Sequence, residues 1–313
     1  MAEKPTREWL SNKIARFLPN LRNLQEIDLE LTNHCNTNCL MCPRYAIKRP
    51  FGYVEIDTVR NLLNQMKETG IEGLAICGFG EPTLHKDFFK IVELCFDIYP
   101  DIALSLVSNF QVLSDDDIKR LGNYPFRYLD FSWSGIRSKD YAHLMGKDIF
   151  DDQVKRLSLL LQSRNKETQV RLRYIFTHPH PNRQKDIIRY FKKWQDLKLM
   201  LVPSHNRGGY LTAYSTSFRK HTVFFRCDYL RYVTFITWQG EALLCPNDLI
   251  QERSFGNINT SSLEDIISRR QASEGEENWP IEACKLCSNP LKTKLALGYN
   301  PRIIAWVAKM LEP

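Results

Sequence analysis

The chain is 313 residues long, 43% apolar and 25% charged, with a formal net charge of +7, a length that can bury one large core and a smaller second one. No apolar stretch approaches the roughly 20 residues needed to cross a bilayer, and the first residues, Met1-Ala-Glu-Lys-Pro-Thr-Arg-Glu, lack the apolar core of a secretory signal. The expected setting is therefore the cytoplasm, where nine cysteines serve metals better than disulfides. Lys and Arg are scattered without a basic run; the positive balance reads as a solvated surface, and neither a membrane nor a nucleic acid is an expected partner.

In chain order, apolar strand-like runs fall at 26–32, 71–77, 102–107, 128–133, 169–177 and 198–202. Helix-like stretches lie between them, at 56–69, 87–98, 115–121, 150–163 and 184–195, with start signals such as Ser114-Asp-Asp-Asp. This alternation predicts an α/β fold with a parallel sheet covered by helices. Six βα units are too few for a complete eight-unit barrel, and the pattern by itself fits a doubly wound open sheet as well as a partial barrel. Beyond 202 come a linker-like Asn206-Arg-Gly-Gly209 and a Ser/Thr/Tyr-rich passage at 211–217. A strand pair (232–238 and 241–245) across Gln239-Gly240 follows, then a short helix at 263–270, a polar acidic loop at 271–278 and a helix at 301–311.

The most specific signal is Cys35-x3-Cys39-x2-Cys42, directly after the alternating segment Ile27-Asp-Leu-Glu-Leu31. Three thiolates can hold three irons of a [4Fe–4S] cube, whose usual ligand set is four cysteines, and leave the fourth iron open. Zinc is the other reading, but the nearest fourth donor, His34, is adjacent to Cys35 and awkward for chelation. A second set, Cys227, Cys245, Cys284 and Cys287, ends in a C-x2-C pair. Four thiolates complete a zinc site as readily as a cluster, and spacing alone favours zinc. Gly78-Phe-Gly-Glu-Pro82 follows the second strand, where glycines let backbone groups approach a ligand.

Together these motifs resemble the radical S-adenosylmethionine (SAM) superfamily, and the C-terminal part resembles the shortened "twitch" form of its SPASM extension. That second likeness rests on Cys227, Gly240-x4-Cys245-Pro246, Phe255-Gly-Asn-Ile258, Leu263-Glu-Asp-Ile266 and Cys284-x2-Cys287. The resemblance implies a partial (β/α)6 barrel with a small C-terminal iron–sulfur domain. The expected boundaries are an N-terminal extension at 1–25, the barrel at 26–210, the cluster domain at 211–290 and a C-terminal helix at 291–313. It also implies a SAM-binding [4Fe–4S] cluster on Cys35, Cys39 and Cys42 and one auxiliary [4Fe–4S] cluster on Cys227, Cys245, Cys284 and Cys287. With both, the net charge becomes roughly +4. SAM would be met by Gly78, Gly80, Glu81 and Pro82, by Ser108 and Asn109 where relatives often carry Thr-Asn-Gly, by Ser132 and Ser134, and by Arg173. Ser134 stands where relatives often carry Asp. Arg207 is a candidate for substrate or SAM.

The implied reaction is reductive cleavage of SAM to a 5′-deoxyadenosyl radical that removes a substrate hydrogen atom, with electrons from a flavodoxin or ferredoxin. Dehydrogenation is the leading expectation, and the roughly 25 residues before the first strand favour a small polar substrate, such as a sugar, aminocyclitol or nucleotide, over a peptide. The alternatives are an epimerase, a ribosomal-peptide modifying enzyme, and a non-enzymatic iron–sulfur or zinc protein. Cys77, at the end of the second strand, could give a hydrogen atom to a substrate radical or be a packed thiol. Cys95 reads as core, and His178 and His180, after the fifth strand, read as part of a rigid polar loop, with a role as acid or base the alternative.

Overall fold

The computed structural model describes residues 25–211, 228–273 and 281–288. Six parallel strands follow one another in space as in sequence: β1 (Glu26–Leu29), β2 (Gly73–Ile76), β3 (Ala103–Ser108), β4 (Tyr128–Trp133), β5 (Gln169–Phe176) and β6 (Lys198–Pro203). The helices α1 (Ile56–Thr69), α2 (Phe88–Ile98), α3 (Asp115–Gly122), α4 (Ser138–Met145), α5 (Phe150–Ser163) and α6 (Gln184–Phe191) connect them. Local chemistry sets several ends: Ser114 and Asp117 form a capping box on α3, and Gly70 closes α1 in the left-handed conformation.

Strand parity explains why this sheet has a polar interior. Ile27 and Leu29 in β1, Leu129, Phe131 and Trp133 in β4, and Val170, Leu172 and Tyr174 in β5 are fully buried; their period of two puts them on one face, in the main hydrophobic core. The other parity carries Asp28, Asp130, Ser132, Arg171 and Arg173. A parallel sheet covered on both faces would carry near-continuous apolar strands. Polar residues at alternate positions instead line the lumen of the partial radical SAM-type barrel that the motifs imply.

The C-terminal part is built into the same sheet. After α7 (Asp228–Tyr232), β7 (Val233–Ile236) pairs in parallel with β1, and β8 (Glu241–Leu243) and β9 (Ser254–Asn257) continue antiparallel, giving nine strands in the order β6-β5-β4-β3-β2-β1-β7-β8-β9. The expected hairpin is present; its parallel join to β1 is not legible in its sequence. In α8 (Leu263–Ala272) the buried Arg270 donates to Thr234 Oγ1 (2.8 Å) and to the carbonyls of Val233 (2.7 Å) and Leu244 (2.9 Å), fastening that helix to β7. The short α9 (Glu282–Leu286) carries Cys284. α4, α7, β9 and α9 are additions to the sequence reading, while Cys227 and the expected helix at 301–311 lie outside the described residues.

Beyond β1, Glu30 enters a buried ion pair with Arg49 at 2.8 Å, both side chains being no more than 2% exposed. Burial pushes the Glu30 carboxyl up, and Arg49 opposes that shift. Removing one member of such a pair strands the other, at a cost of about 3–5 kcal/mol. Arg49→Met should therefore lose stability of that order at pH 7.5 in urea unfolding followed by tryptophan fluorescence, and adding Glu30→Gln should recover part of the loss.

Candidate active site

The loop bearing the first three cysteines sits over the end of β1. Cys35 Sγ and Cys39 Sγ both lie against the Thr37 hydroxyl, at 3.2 and 3.4 Å, and Cys42 packs against the small cluster of Ala46, Ile47, Phe79 and Leu249. Burial pushes the Cys39 thiol up to about 12, with Cys42 and Cys35 adding to the rise, and burial raises Cys42 too. Desolvated thiols such as Cys39 and Cys42 stay protonated until a cation displaces their protons, which is the chemistry of a metal-thiolate site. Among the described residues no three His, Cys, Asp or Glu side chains close on one point as a single ion requires. A cube asks only that each sulfur reach its own iron. The His34 ring stacks on Tyr53 at 4.9 Å. The donor set fits a three-thiolate cluster.

The turn after β2 is pressed onto this loop. A Cβ at Gly80 would stand 2.0 Å from the Thr32 carbonyl oxygen and 2.6 Å from that of His34, so only glycine fits. The Glu81 amide donates to the His34 carbonyl at 2.8 Å. The Glu81 carboxylate is buried and accepts from Ser108 Oγ (2.6 Å), Thr83 Oγ1 (2.6 Å), Thr83 N (3.2 Å) and Asn109 N (2.8 Å). In this chain the Glu81 and Ser108 side chains thus fasten the turn to β3. Asn109 carries the network onward: its Nδ2 donates to Asn36 Oδ1 at 2.9 Å, and Asn36 donates to Gln111. Pro82 opens a 3-10 turn that Glu81 caps.

Within the lumen two groups of polar side chains face one another. On one wall Tyr229 of α7 donates to the Asp28 carboxylate, and the Cys77 thiol hydrogen-bonds the same group. Desolvation raises Asp28 to about 6, against the lowering effect of Tyr229, Cys77 and Arg173 and with Glu26 adding to the rise. Cys77 is held well above its ordinary range by burial and by Asp28, so it stays a thiol. On the other wall Asp130 accepts from Arg171 at 2.5 and 2.7 Å and from Arg173 at 3.3 Å. Arg173 therefore points inward, as an anion-binding reading requires, with Asp130 as its protein partner. Ser132 shares this wall, whereas Ser134 is buried and donates to the Ile175 carbonyl at 2.6 Å.

A family model described as the radical SAM superfamily matches residues 29–192, more than half of the chain. The chain belongs to the radical SAM superfamily. A second model, described as an iron-sulfur cluster-binding domain of SPASM type, matches residues 227–288. Among curated proteins, an uncharacterised protein of Methanocaldococcus jannaschii is 29% identical over 149 residues, 47% of this chain and 46% of the relative. The GTP 3′,8-cyclase of Sulfurimonas denitrificans is 27% identical over 134 residues, 41% and 40% of the two chains. The chain thus spans less than half the length of these relatives. Among solved structures, BtrN in complex with AdoMet and 2-DOIA aligns over 85% of this chain and 93% of its own, at 18% identity and a TM-score of 0.58. Streptococcus suis SuiB bound to the precursor peptide SuiA aligns over 83% and 69%, at 15% identity and a TM-score of 0.64. These likenesses show the fold. Family membership carries with it SAM and a [4Fe–4S] cluster, and the SPASM match implies auxiliary iron–sulfur chemistry.

The SPASM cysteines meet the radical SAM barrel at the turn after β6. Asn206 Nδ2 donates to the Leu286 carbonyl (2.6 Å), and its amide and Oδ1 bond Ser288 (2.9 and 2.8 Å). A Cβ at Gly208 would meet Ala283 at 3.1 Å, and one at Gly209 would meet Leu286 at 2.8 Å. The strap over residues 206–211 therefore lies against the helix of the C-x2-C pair. Cys42, Cys245 and Cys287 all act electrostatically on Arg207, within that strap. No helix among the described residues is long and apolar enough to cross a membrane. The residues that sequence reasoning missed are Asp28, Tyr229, Asp130 and Arg171. The signal for the two Asp and for Arg171 was present, as charged residues at alternate positions of apolar strands. Tyr229 carried only its place two residues after Cys227. His180 is stacked on Phe176 and accepts from Asn182 N, and Cys95 is fully buried.

Removing the Glu81 carboxylate strands donors of Ser108, Thr83 and Asn109, each costing about 1–3 kcal/mol when buried, and unfastens the turn that supports the cysteine loop. Glu81→Ala should keep native-like circular dichroism yet bind about four irons instead of about eight after anaerobic reconstitution. Full iron loading would show that the loop stands without this anchor.

Proposed function

We propose that this chain is a radical SAM oxidoreductase that dehydrogenates a small polar molecule, a sugar, aminocyclitol or nucleotide, with Cys227 completing an auxiliary [4Fe–4S] site on Cys245, Cys284 and Cys287. One observation carries this reading: the Asp28–Tyr229 pair in the lumen stands beside the SPASM cysteines, Cys245 acting on Tyr229 and Tyr229 lying two residues after Cys227. A proton acceptor and the place for an electron acceptor are thus neighbours, which is what oxidation of a carbon-centred radical next to a hydroxyl needs. When bound, SAM and the two clusters supply the hydrogen-atom abstraction and the one-electron exchanges.

The chain's own residues supply the rest. Asp28, titrating near 6, accepts the hydroxyl proton at neutral pH and is matched to that task. Tyr229 holds the carboxylate in place and favours its ionised form. Arg173, Asp130 and Ser132 on the opposite wall offer donors and acceptors to hydroxyl or phosphate groups. Gly78 and Gly80 let backbone groups reach the SAM amine, and the surrounding sheet and helices exclude water. The GTP 3′,8-cyclases among the matched relatives bring nucleotides into the panel to be assayed.

The test is anaerobic reconstitution, followed by assay of polyols, aminocyclitols and nucleotides for 5′-deoxyadenosine and for a two-electron-oxidised product. Asp28→Asn should keep 5′-deoxyadenosine formation and lose at least tenfold in ketone. In the wild type kcat/KM should fall as pH drops through about 6, where Asp28 takes up its proton. Tyr229→Phe removes a hydrogen bond that lowers that value, so the limb should move to higher pH. Unchanged ketone formation in Asp28→Asn would remove it from the reaction.

Cys77 favours a second reading, epimerisation, because the structure keeps it a protonated thiol at the lumen wall beside Asp28. Under that reading Cys77→Ala would still form 5′-deoxyadenosine while inverted product falls, and reactions in D2O would place deuterium at the inverted carbon. The dehydrogenase reading expects ketone formation to survive Cys77→Ala and no such deuterium to appear.

A further inference from the structure

Arg207 is held in a costly backbone conformation for a reason that packing alone does not supply. Its φ is +50°, in the left-handed region that residues other than glycine rarely adopt, and two glycines with positive φ follow it. Such strain, of order 1–3 kcal/mol, persists where the surroundings over-determine it. The strap supplies that constraint: Asn206 is tied to Leu286 and Ser288, the Arg207 amide donates to His205 Nδ1 at 3.2 Å, and the Leu211 amide returns to the Asn206 carbonyl at 2.9 Å. From the other side Tyr45 donates to the Tyr210 carbonyl at 2.5 Å. Tyr45 lies three residues beyond Cys42, so the strap is tied to the segments carrying both thiol sets.

What the conformation delivers is a cation. Arg207 Nε is buried without a hydrogen-bond partner among the described residues, and His205 beside it is held neutral by burial, its value lowered to about 2. The groups acting most strongly on the Arg207 charge are Cys42 of the first set, Arg173, and Cys287 and Cys245 of the second. No carboxylate stands among them. A buried guanidinium needs an anion, and the negative charges on offer are thiolates of the two cluster sites.

We infer that Arg207 is a positioning residue that acts as one fixed counter-charge shared by the SAM-binding and auxiliary cluster sites, setting the reduction potentials of both. Each cluster gains one negative charge on reduction, so a fixed positive charge nearby favours its reduced form, net charge being one of the levers on such potentials. The inference rests on the two-cluster assignment and not on the substrate or on dehydrogenation. It separates Arg207 from a SAM contact, because the effect must be present before SAM is added.

The experiment is an EPR-monitored redox titration of the full reconstituted chain without SAM. Arg207→Gln, which keeps polarity and removes the charge, should lower both midpoint potentials, each by at least the tenfold change in reduction equilibrium that corresponds to 59 mV for one electron. Arg207→Lys should restore most of the shift. Iron counts and a SAM titration of the EPR signal are run on the same samples. Unmoved potentials in a fully loaded Arg207→Gln protein overturn the inference, whether or not SAM then binds more weakly; a shift in one cluster only overturns the sharing. Should Arg207→Gln fail to load iron, Arg207→Lys decides. Loaded with wild-type potentials it upholds the role of charge; with potentials displaced, or failing to load as well, it reduces Arg207 to a structural element of the strap.

Discussion

The buried carboxylate of Glu81 is the interaction on which the site depends. It stands at the end of β2 and collects donors from Thr83, Ser108 and the backbone of Asn109, joining the glycine turn to β3. Desolvation raises its own affinity for a proton, and the same four hydrogen bonds oppose that rise. A carboxylate so placed cannot be replaced by a neutral group without leaving donors unsatisfied. Through Asn109 the constraint reaches Asn36, inside the cysteine loop. Backbone contacts between Gly80 and the carbonyls of Thr32 and His34 complete the same junction. The loop that holds three thiols is therefore positioned by the barrel rather than by the metal alone.

Much of this architecture was legible in the sequence, for physical reasons that differ by element. Five of the six barrel-connecting helices announce themselves by apolar spacing, with a capping residue at Ser114. Ser138–Met145 does not: it is short, polar in its first turn and wedged between a strand and a longer helix. The cysteine spacing pointed to a metal-thiolate site, and the resemblance to the radical SAM superfamily chose a cluster over zinc. Side-chain roles were harder. Glu81 and Ser108 occupy positions that the family resemblance reserves for SAM, yet their polar atoms are engaged by the scaffold here. Arg173 faces the lumen, but its partner Asp130 lies 43 residues away in sequence and is brought alongside only by strand register. Tyr229 and Asp28, 201 residues apart, meet only because β7 lies beside β1.

The electrostatics of the lumen follow from the same register. One wall carries an Asp–Tyr–Cys group and the other an Asp shared by two arginines, and Arg173 is felt by Asp28, Cys77 and Arg207 alike. Burial and opposite charge work against each other at each of these groups. Asp28 ends near neutrality because desolvation outweighs its hydrogen bonds, while Cys77 has a carboxylate beside it and stays protonated. Under the proposed reading, a near-neutral carboxylate and a thiol on one wall with two arginines on the other suit proton transfer from a polar substrate.

The parallel pairing of β7 with β1 has a mechanical consequence. A module attached by a linker can swing, and the distance between two redox centres then varies with that motion. Here the hairpin that bears Cys245 continues the same hydrogen-bonded ladder as the strand that leads to Cys35, so no hinge separates the two along that path. The same continuity makes the parts inseparable. A chain cut before Val233 would expose the full edge of β1, an open row of amides and carbonyls in the middle of an apolar strand, and such an edge invites pairing with another molecule. Trimming this protein to its barrel would yield a sticky fragment rather than a smaller enzyme.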